Sequence, residues 1–480
     1  MGNDITAAGS LIKDNQELIG TGFVSGRESL EFGKALHEKC PRNRQGKWHI
    51  SQDRFQSVNL IFAQDTNRIP ELVPIRHKRM AKSPFAFYRG AAIVMADDLS
   101  TTQNTGLIVQ ACGDAHISNF GIFRSPERNL VFDINDFDET SRGNWEWDLK
   151  RFLTSVEICG RDRGFTKDQR RESVYAGAKA YRESMLRFSE MSSIDVWYSQ
   201  VQMSSLMQEF ENRPDEEDTE MIRKTMSKAF AKNHEKAVAK FTEVKNGKRR
   251  FVNNPPLIIP IENLSLPSIN ASELNRTIRR FLVQYMQSLP RERRVLIEQY
   301  RILDIAAKVV GVGSVGTRCW IVLLEGTQEN DYLILQLKEA NTSVLEFRNN
   351  SIGQKSNGRR IVEGQRAIQT VGDIMLGWAS FNEGADTWHD YYVRQLWDGK
   401  GSFDLTGISP GGLTRITELC AGVLAHAHAK TGNRHAIAGY LGKSNTHDEA
   451  MQSFAEAYAD QNEIDYELFL KEAHLENMPN

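Results

Sequence analysis

The chain has 480 residues, room for roughly three average domains or for one large two-lobed enzyme with additions. Sixty Lys and Arg stand against 62 Asp and Glu, a net charge of −2, which argues against a polyanion-binding surface and predicts no nucleic-acid partner. With 40% hydrophobic and 25% charged residues, the composition is that of a globular chain and excludes disordered, collagenous and coiled-coil-rod classes.

Residues 1–15 lack the basic and apolar regions of a signal peptide, and no apolar run approaches membrane-spanning length, so no membrane partner is expected. Five cysteines without a C-x-x-C spacing predict a reducing, cytoplasmic setting with no disulfide or zinc framework. A first helix is expected around Ser29–Lys39. A proline-punctuated stretch over residues 50–100 contains Pro84-Phe85-Ala86-Phe87-Tyr88-Arg89-Gly90. Gly106–Cys112 and Asn129–Asp133 read as buried strands. From Trp145 to about Lys245 the pattern is helical, clearest at Val174–Phe188 and Glu220–Phe241. Asn253–Pro260 breaks it. A helix returns at Ala271–Ser288, and then the period switches to 2, with strands at Lys308–Val310, Cys319–Glu325 and Tyr332–Lys338. Helical patterns at Arg359–Leu376 and Leu413–Ala429 enclose a strand at Tyr391–Leu396.

Two constellations carry chemistry. The first is Cys112-Gly113-Asp114-Ala115-His116-Ile117-Ser118-Asn119, followed by Asp133-Ile134-Asn135-Asp136-Phe137-Asp138, each at the end of a strand. Phosphoryl transfer needs a carboxylate to accept the hydroxyl proton, and an amide oxygen with a second carboxylate to hold Mg²⁺. Asp114, Asn119, Asp136 and Asp138 offer that set; the plainer alternative is that Asp and Asn cap turns between two strands. His116 either orients the loop or touches substrate. Asp148 opens the next helix and is expected to anchor the preceding loop's backbone. The second is Gly311-Val312-Gly313-Ser314-Val315-Gly316. A strand follows it rather than a helix, so the glycines belong to a hairpin tip, as in a kinase phosphate loop, and not to a dinucleotide fold. That reading requires a lysine on the next strand, and Lys338 is there. Its expected partner is a phosphate or Glu363, with Glu346 in reserve; a snorkelling strand-end lysine is the alternative. Arg89, flanked by aromatics, either has a structural role or contacts substrate.

Pro84–Gly90, Gly113–Asn119, Asp133–Glu139, Trp145–Lys150 and Val362–Arg366 together resemble the bacterial domain-of-unknown-function family 2252, over about residues 76–441. At motif level, Gly113–Asn119 and Asn135–Phe137 also resemble aminoglycoside phosphotransferases and other kinase-like enzymes. That second resemblance implies Asp114 as catalytic base, Asn119 and Asp136 as metal ligands, and Asp148 as the aspartate opening the following helix. Kinase-like chains place the glycine loop and lysine first, whereas here both follow Asp114. A circular permutation accounts for the order; an N-lobe built from residues 45–105 with Lys78 or Lys82 is the alternative.

The expectation is therefore an α+β, protein-kinase-like two-lobed fold, circularly permuted, with a mostly helical larger lobe. Residues 1–105 form an extension, 106–295 the catalytic-loop and helical lobe, 296–404 the nucleotide-binding lobe, and 405–480 helices completing the large lobe. Its function would be transfer of phosphate from ATP, with Mg²⁺, to a small-molecule hydroxyl. The alternatives are a nucleotide-binding regulatory protein without turnover, and a metal-dependent hydrolase.

Overall fold

The computed structural model describes residues 24–211, 216–264, 271–309, 315–348, 356–382 and 388–475. The N-terminal part is helical: α1 (Gly26–Lys39), α2 (Ser57–Asp65), α3 (Val73–Met80), α4 (Pro84–Gly90) and α5 (Ala92–Ser100). Ser25 and Glu28 close a capping box on α1, and Ser83 caps α4 ahead of Pro84. Four short strands follow: β1 (Ile108–Ala111), β2 (Phe120–Arg124), β3 (Leu130–Ile134) and β4 (Ser141–Asn144). β1 pairs with β4, and β2 with β3.

The helical region consists of α6 (Trp145–Asp162), α7 (Lys167–Glu190), α8 (Ser193–Tyr198), the short strand β5 (Val201–Gln202) beside β3, α9 (Met203–Glu211), α10 (Glu216–Ala231) and α11 (His234–Phe241). The single helix expected over Glu220–Phe241 is two, because Asn233 turns its side chain to cap the Lys236 amide and so starts α11 afresh. A hairpin, β6 (Thr242–Lys245) and β7 (Lys248–Phe251), leads to β8 (Ile258–Pro260), α12 (Ala271–Ser288) and α13 (Arg291–Ile297).

Next come β9 (Arg301–Lys308), β10 (Cys319–Glu325), β11 (Tyr332–Ala340), α14 (Asn357–Ile368), β12 (Gly377–Asn382) and β13 (Trp388–Gln395), then α15 (Pro410–Thr431), α16 (Arg434–Leu441) and α17 (Thr446–Glu472). Six strands form one antiparallel sheet in the order β12-β13-β11-β10-β9-β8. The first strand of this run lies at Arg301–Lys308 rather than Lys308–Val310. The sheet region also starts before residue 296. Ile258–Pro260 pairs with Ala306–Lys308, and α12 needs the outer face of the sheet to bury Ile278, Phe281, Leu282 and Tyr285.

The architecture is a helix-rich α+β assembly with several small sheets. One hydrophobic cluster joins α1–α8, β1–β3, α14 and α15–α17. Two others flank the six-stranded sheet: α12 covers Trp320, Val322, Leu335 and Val393, while α11 covers Ile321, Leu323 and Ile334 on the opposite face. Among the described residues no helix is long and apolar enough to cross a membrane.

The helices before residue 105 share the main core, and a buried charge cluster ties them to the C-terminus. Arg54 donates to Asp98 (2.7 Å) and to Asp465 (2.6 Å), both almost wholly buried. Removing the guanidinium leaves two buried carboxylates facing each other. Arg54→Leu is therefore expected to lower the unfolding free energy by about 3–5 kcal/mol, read by urea denaturation; a loss below about 1 kcal/mol would show that the cluster is solvated and contributes little.

Candidate functional site

The loop after β1 is held by a carboxylate. Asp148, in the first turn of α6, accepts the amide N–H of Cys112 at 2.6 Å and that of Gly113 at 2.9 Å, so the anchoring expected of it is what it does. His428 on α15 lies 3.2 Å from the same carboxylate. Gly113 has φ 84°, and a Cβ there would sit 2.2 Å from the Glu139 carbonyl oxygen. Only glycine lets the two loops pass so closely.

This turn delivers Asp114 to the wall of a cavity of about 740 Å³. Arg151 Nε donates to Asp114 Oδ1 at 2.7 Å, while Oδ2 makes no hydrogen bond among the described residues and has His116 Nε2 at 3.7 Å. Arg151 also donates to the Tyr88 carbonyl and lies over the Tyr88 ring. The sequence reading passed over Arg151, although the spacing from Asp148 puts both on one face of α6. Burial pushes the His116 imidazole down to about 3, so this ring is neutral through the physiological range and acts as a polar neighbour of Asp114.

Asn119 donates its amide nitrogen to the Asp114 carbonyl at 2.5 Å, which leaves its oxygen for another partner. Phe120 pairs with Ile134, and the Asn135 amide donates to the Asn119 carbonyl, so Asn119 lies beside Asp136. Asp136 Oδ1 is a buried atom with no hydrogen bond. Burial and then the charge of Asp138 raise its pKa, against the pull of Lys338.

Lys338 is on β11, 200 residues from Asp138, and donates to Asp138 Oδ2 at 2.6 Å. Its ammonium is 3.8 Å from Asp136 Oδ1, an ion-pair contact too long for a hydrogen bond. Tyr392 donates its hydroxyl to the other Asp138 oxygen at 2.6 Å. Burial opposes ionisation of Asp138, but Lys338 and Tyr392 hold it down to about 2. Burial likewise opposes the Lys338 charge, and the two aspartates overcome it.

The structure thus brings together Asp114, His116, Asn119, Asp136, Asp138 and Lys338, with Arg89 in the same cavity wall. Two expectations change. Glu363 does not meet Lys338: it sits on the open face of α14 and pairs with Arg359, one turn earlier, at 2.7 Å. Asp138, expected among the metal ligands, has both oxygens committed to Tyr392 and Lys338. Glu346, the reserve partner, accepts from Ser141 instead. Of the glycine loop, Gly311 and Gly313 lie outside the described residues. Gly316, at φ 91°, is hydrogen-bonded through its carbonyl to the Ile69 amide, and Arg68 donates to the neighbouring Val315 carbonyl.

Among the described residues no three His, Cys, Asp or Glu side chains are grouped to hold a metal by themselves. The orphaned Asp136 oxygen beside Asn119 fits Mg²⁺ in another way, since this ion is commonly held by one or two protein oxygens, with phosphates and water completing the shell.

A family model described as an uncharacterized protein conserved in bacteria (DUF2252) matches residues 68–472, and the chain belongs to that family. No curated protein and no solved structure matches the chain.

Two predictions follow from the loop anchors. Asp148→Ala removes a charged acceptor from two buried amides and is expected to cost about 3 kcal/mol or more, with urea denaturation as the readout and a change under about 0.5 kcal/mol as the contrary result. Glu139 lines the cavity and accepts the Val344 amide; burial raises its carboxyl to about 7. The folded state therefore binds that proton more tightly than the unfolded state, so this group's contribution to stability falls as pH rises from about 4.5 to about 7, by up to about 3 kcal/mol. Glu139→Gln should flatten the stability–pH curve over that window relative to wild type, and parallel curves would contradict the assignment.

Proposed function

We propose that the protein is a phosphotransferase of kinase-like architecture, moving the γ-phosphoryl group of ATP, with Mg²⁺, to the hydroxyl of a small molecule. The observation that carries this reading is the meeting of Lys338 with Asp136 and Asp138 at the cavity that also holds Asp114. Two strands flanking a glycine turn, then a lysine strand, then a helix and two further strands make up the small lobe of a kinase-like enzyme. In this chain they are β9, β10, β11, α14, β12 and β13, and they follow the catalytic loop instead of preceding it. The order is that of a circular permutation, which is inexpensive when the original termini lie close together at the surface.

The roles follow from chemistry. Asp114 Oδ2, free of hydrogen bonds and open to the cavity, takes the acceptor's hydroxyl proton, while Arg151 fixes the other oxygen and with it the orientation of the carboxylate. Asn119 and Asp136 would hold Mg²⁺, whose charge offsets that of the phosphates. Lys338 positions Asp138 and Asp136, both of which line the cleft. The acceptor is a small molecule by analogy with the aminoglycoside phosphotransferases, an argument from resemblance alone.

One observation favours the second reading, a nucleotide-binding protein without turnover. α11 packs Ala237, Val238 and Phe241 onto Ile321, Leu323 and Ile334, on the same face of the sheet from which Lys338 projects. A nucleotide between the lobes then has to displace α11 or keep its base elsewhere in the cavity.

The test measures melting temperature with Mg·ATP, and phosphate release or transfer, in wild type, Lys338→Ala and Asp114→Asn. Each variant is compared with its own ligand-free baseline. Wild type should be stabilised by Mg·ATP and Lys338→Ala much less so. Asp114→Asn should keep binding and lose about 10²–10⁴-fold in turnover. Wild type that binds Mg·ATP but turns nothing over establishes the second reading, and wild type blind to every nucleotide sinks both.

A further inference from the structure

The cavity wall carries many charges, and nearly all have partners within the protein. Asp138 is held by Lys338 and Tyr392, and Glu339 by Arg318 and His389. Asp390 accepts the Asn357 amide at 2.6 Å and the Ser380 hydroxyl. Glu139 accepts the Val344 amide, and Asp114 is paired with Arg151.

Among the described basic side chains of the wall, Arg89 is the exception. It lies near the end of α4, between Tyr88 and Gly90, and lines the cavity. Its Nε is buried without a partner, and its guanidinium makes no hydrogen bond or ion pair among the described residues. Its guanidinium lies over the Phe85 ring of its own helix, with the centroid 5.8 Å away. Arg89 is half-buried, and its buried Nε–H gives up water and gains no acceptor in return, which is costly. Burial depresses its pKa, and the charge of Asp114 works against that. The cation therefore sits within the field of the carboxylate that would take the acceptor's proton.

We propose that Arg89 binds an anionic group, a carboxylate or a phosphate, on the same small molecule whose hydroxyl faces Asp114. The acceptor class is then hydroxylated anions such as sugar acids or sugar phosphates. This deepens the reading of Asp114 as base and rests on it. A planar fork suits both anions, and among the described residues Arg89 is the one cation of the wall for which no hydrogen bond or ion pair is formed.

The test is binding without nucleotide, so that it stays separate from the question of phosphoryl transfer. Melting temperature and calorimetric titration are recorded with gluconate and glycerate, with glucose 6-phosphate and glycerol 3-phosphate, with neutral glucose and glycerol, and with glucosamine. One anionic pair should bind more tightly than the neutral and cationic probes, and which pair it is separates carboxylate from phosphate. Arg89→Gln should weaken that binding by about tenfold or more, and Arg89→Lys by less. Equal binding of neutral or amino probes, or anion binding that survives Arg89→Gln unchanged, overturns the proposal. If Mg·ATP fails to stabilise the wild type while anion binding behaves as expected, the phosphotransfer reading falls and the anion site stands.

Discussion

A buried ammonium must be surrounded by negative charge, and this requirement sets the relation between the two chemical halves of the molecule. Lys338 is a buried residue near the end of β11, and its charge is met from across the cleft. Asp138 and Asp136 supply that charge from a turn 200 residues away. Such a pair is weak support for stability, since desolvation consumes most of the Coulombic gain. Its significance is the uneven count it leaves. Within 4 Å one ammonium faces two carboxylates, with Arg394 and Lys400 adding positive charge from farther away, and only Asp138 receives its hydrogen bond. Asp136 keeps a buried oxygen with no hydrogen bond, which is the condition under which a divalent cation or a protonated partner is drawn in.

The neighbouring loop depends on a second buried charge. Asp148 gathers two amides, and Arg151, three residues along the same helix, fixes Asp114. One helical face therefore controls both the backbone of the turn and the direction of its working carboxylate. Glu146 and Asp148 also lie in the first turn of α6, where the helix dipole favours acidic groups. Arg360 on α14 ties this arrangement to the sheet by donating to the carbonyls of Asp138, Thr140 and Asn341. Holding the aspartate turn thus requires a side chain from the element that follows the lysine strand.

Much of this was legible in the sequence because the signals are local. Period-2 patterning located β10 and β11 and with them the strand that carries Lys338. The motif around Asp114 placed that carboxylate and Asn119 on one turn. What was not legible depends on partners distant in sequence. Glu363 occupies a plausible helical position, but its side chain points outward, and helix spacing alone does not say which face meets the sheet. Asp138 looked like one more ligand in an acidic run until Tyr392 and Lys338 claimed its oxygens. Arg89 was singled out for its aromatic flanks, and only the surrounding wall shows that no acceptor within the described chain answers it. The break before α11 and the early start of the sheet at β8 turn on a cap and an edge pairing, both too short to register as periodicity.

The packing of α11 joins these points into one argument. Its apolar residues cover the part of the sheet formed by Ile321, Leu323 and Ile334, while Lys338 and the cavity lie toward the end where Gly316 meets Arg68. Open space at the site is therefore concentrated at the charged end. A ligand drawn there is selected first by its ionic groups, and only afterwards by any flat apolar part. Recognition of that kind relies on the direction of a few fixed side chains, and this explains why so many residues around the cavity are occupied in holding one another: Asp148 holds the loop, Arg151 holds Asp114, Tyr392 holds Asp138. The positions left without such a restraint, Asp136 Oδ1 and the Arg89 guanidinium, are opposite in charge and line the same cavity. That pairing suits ligands that bring a cation to one position and an anion to the other.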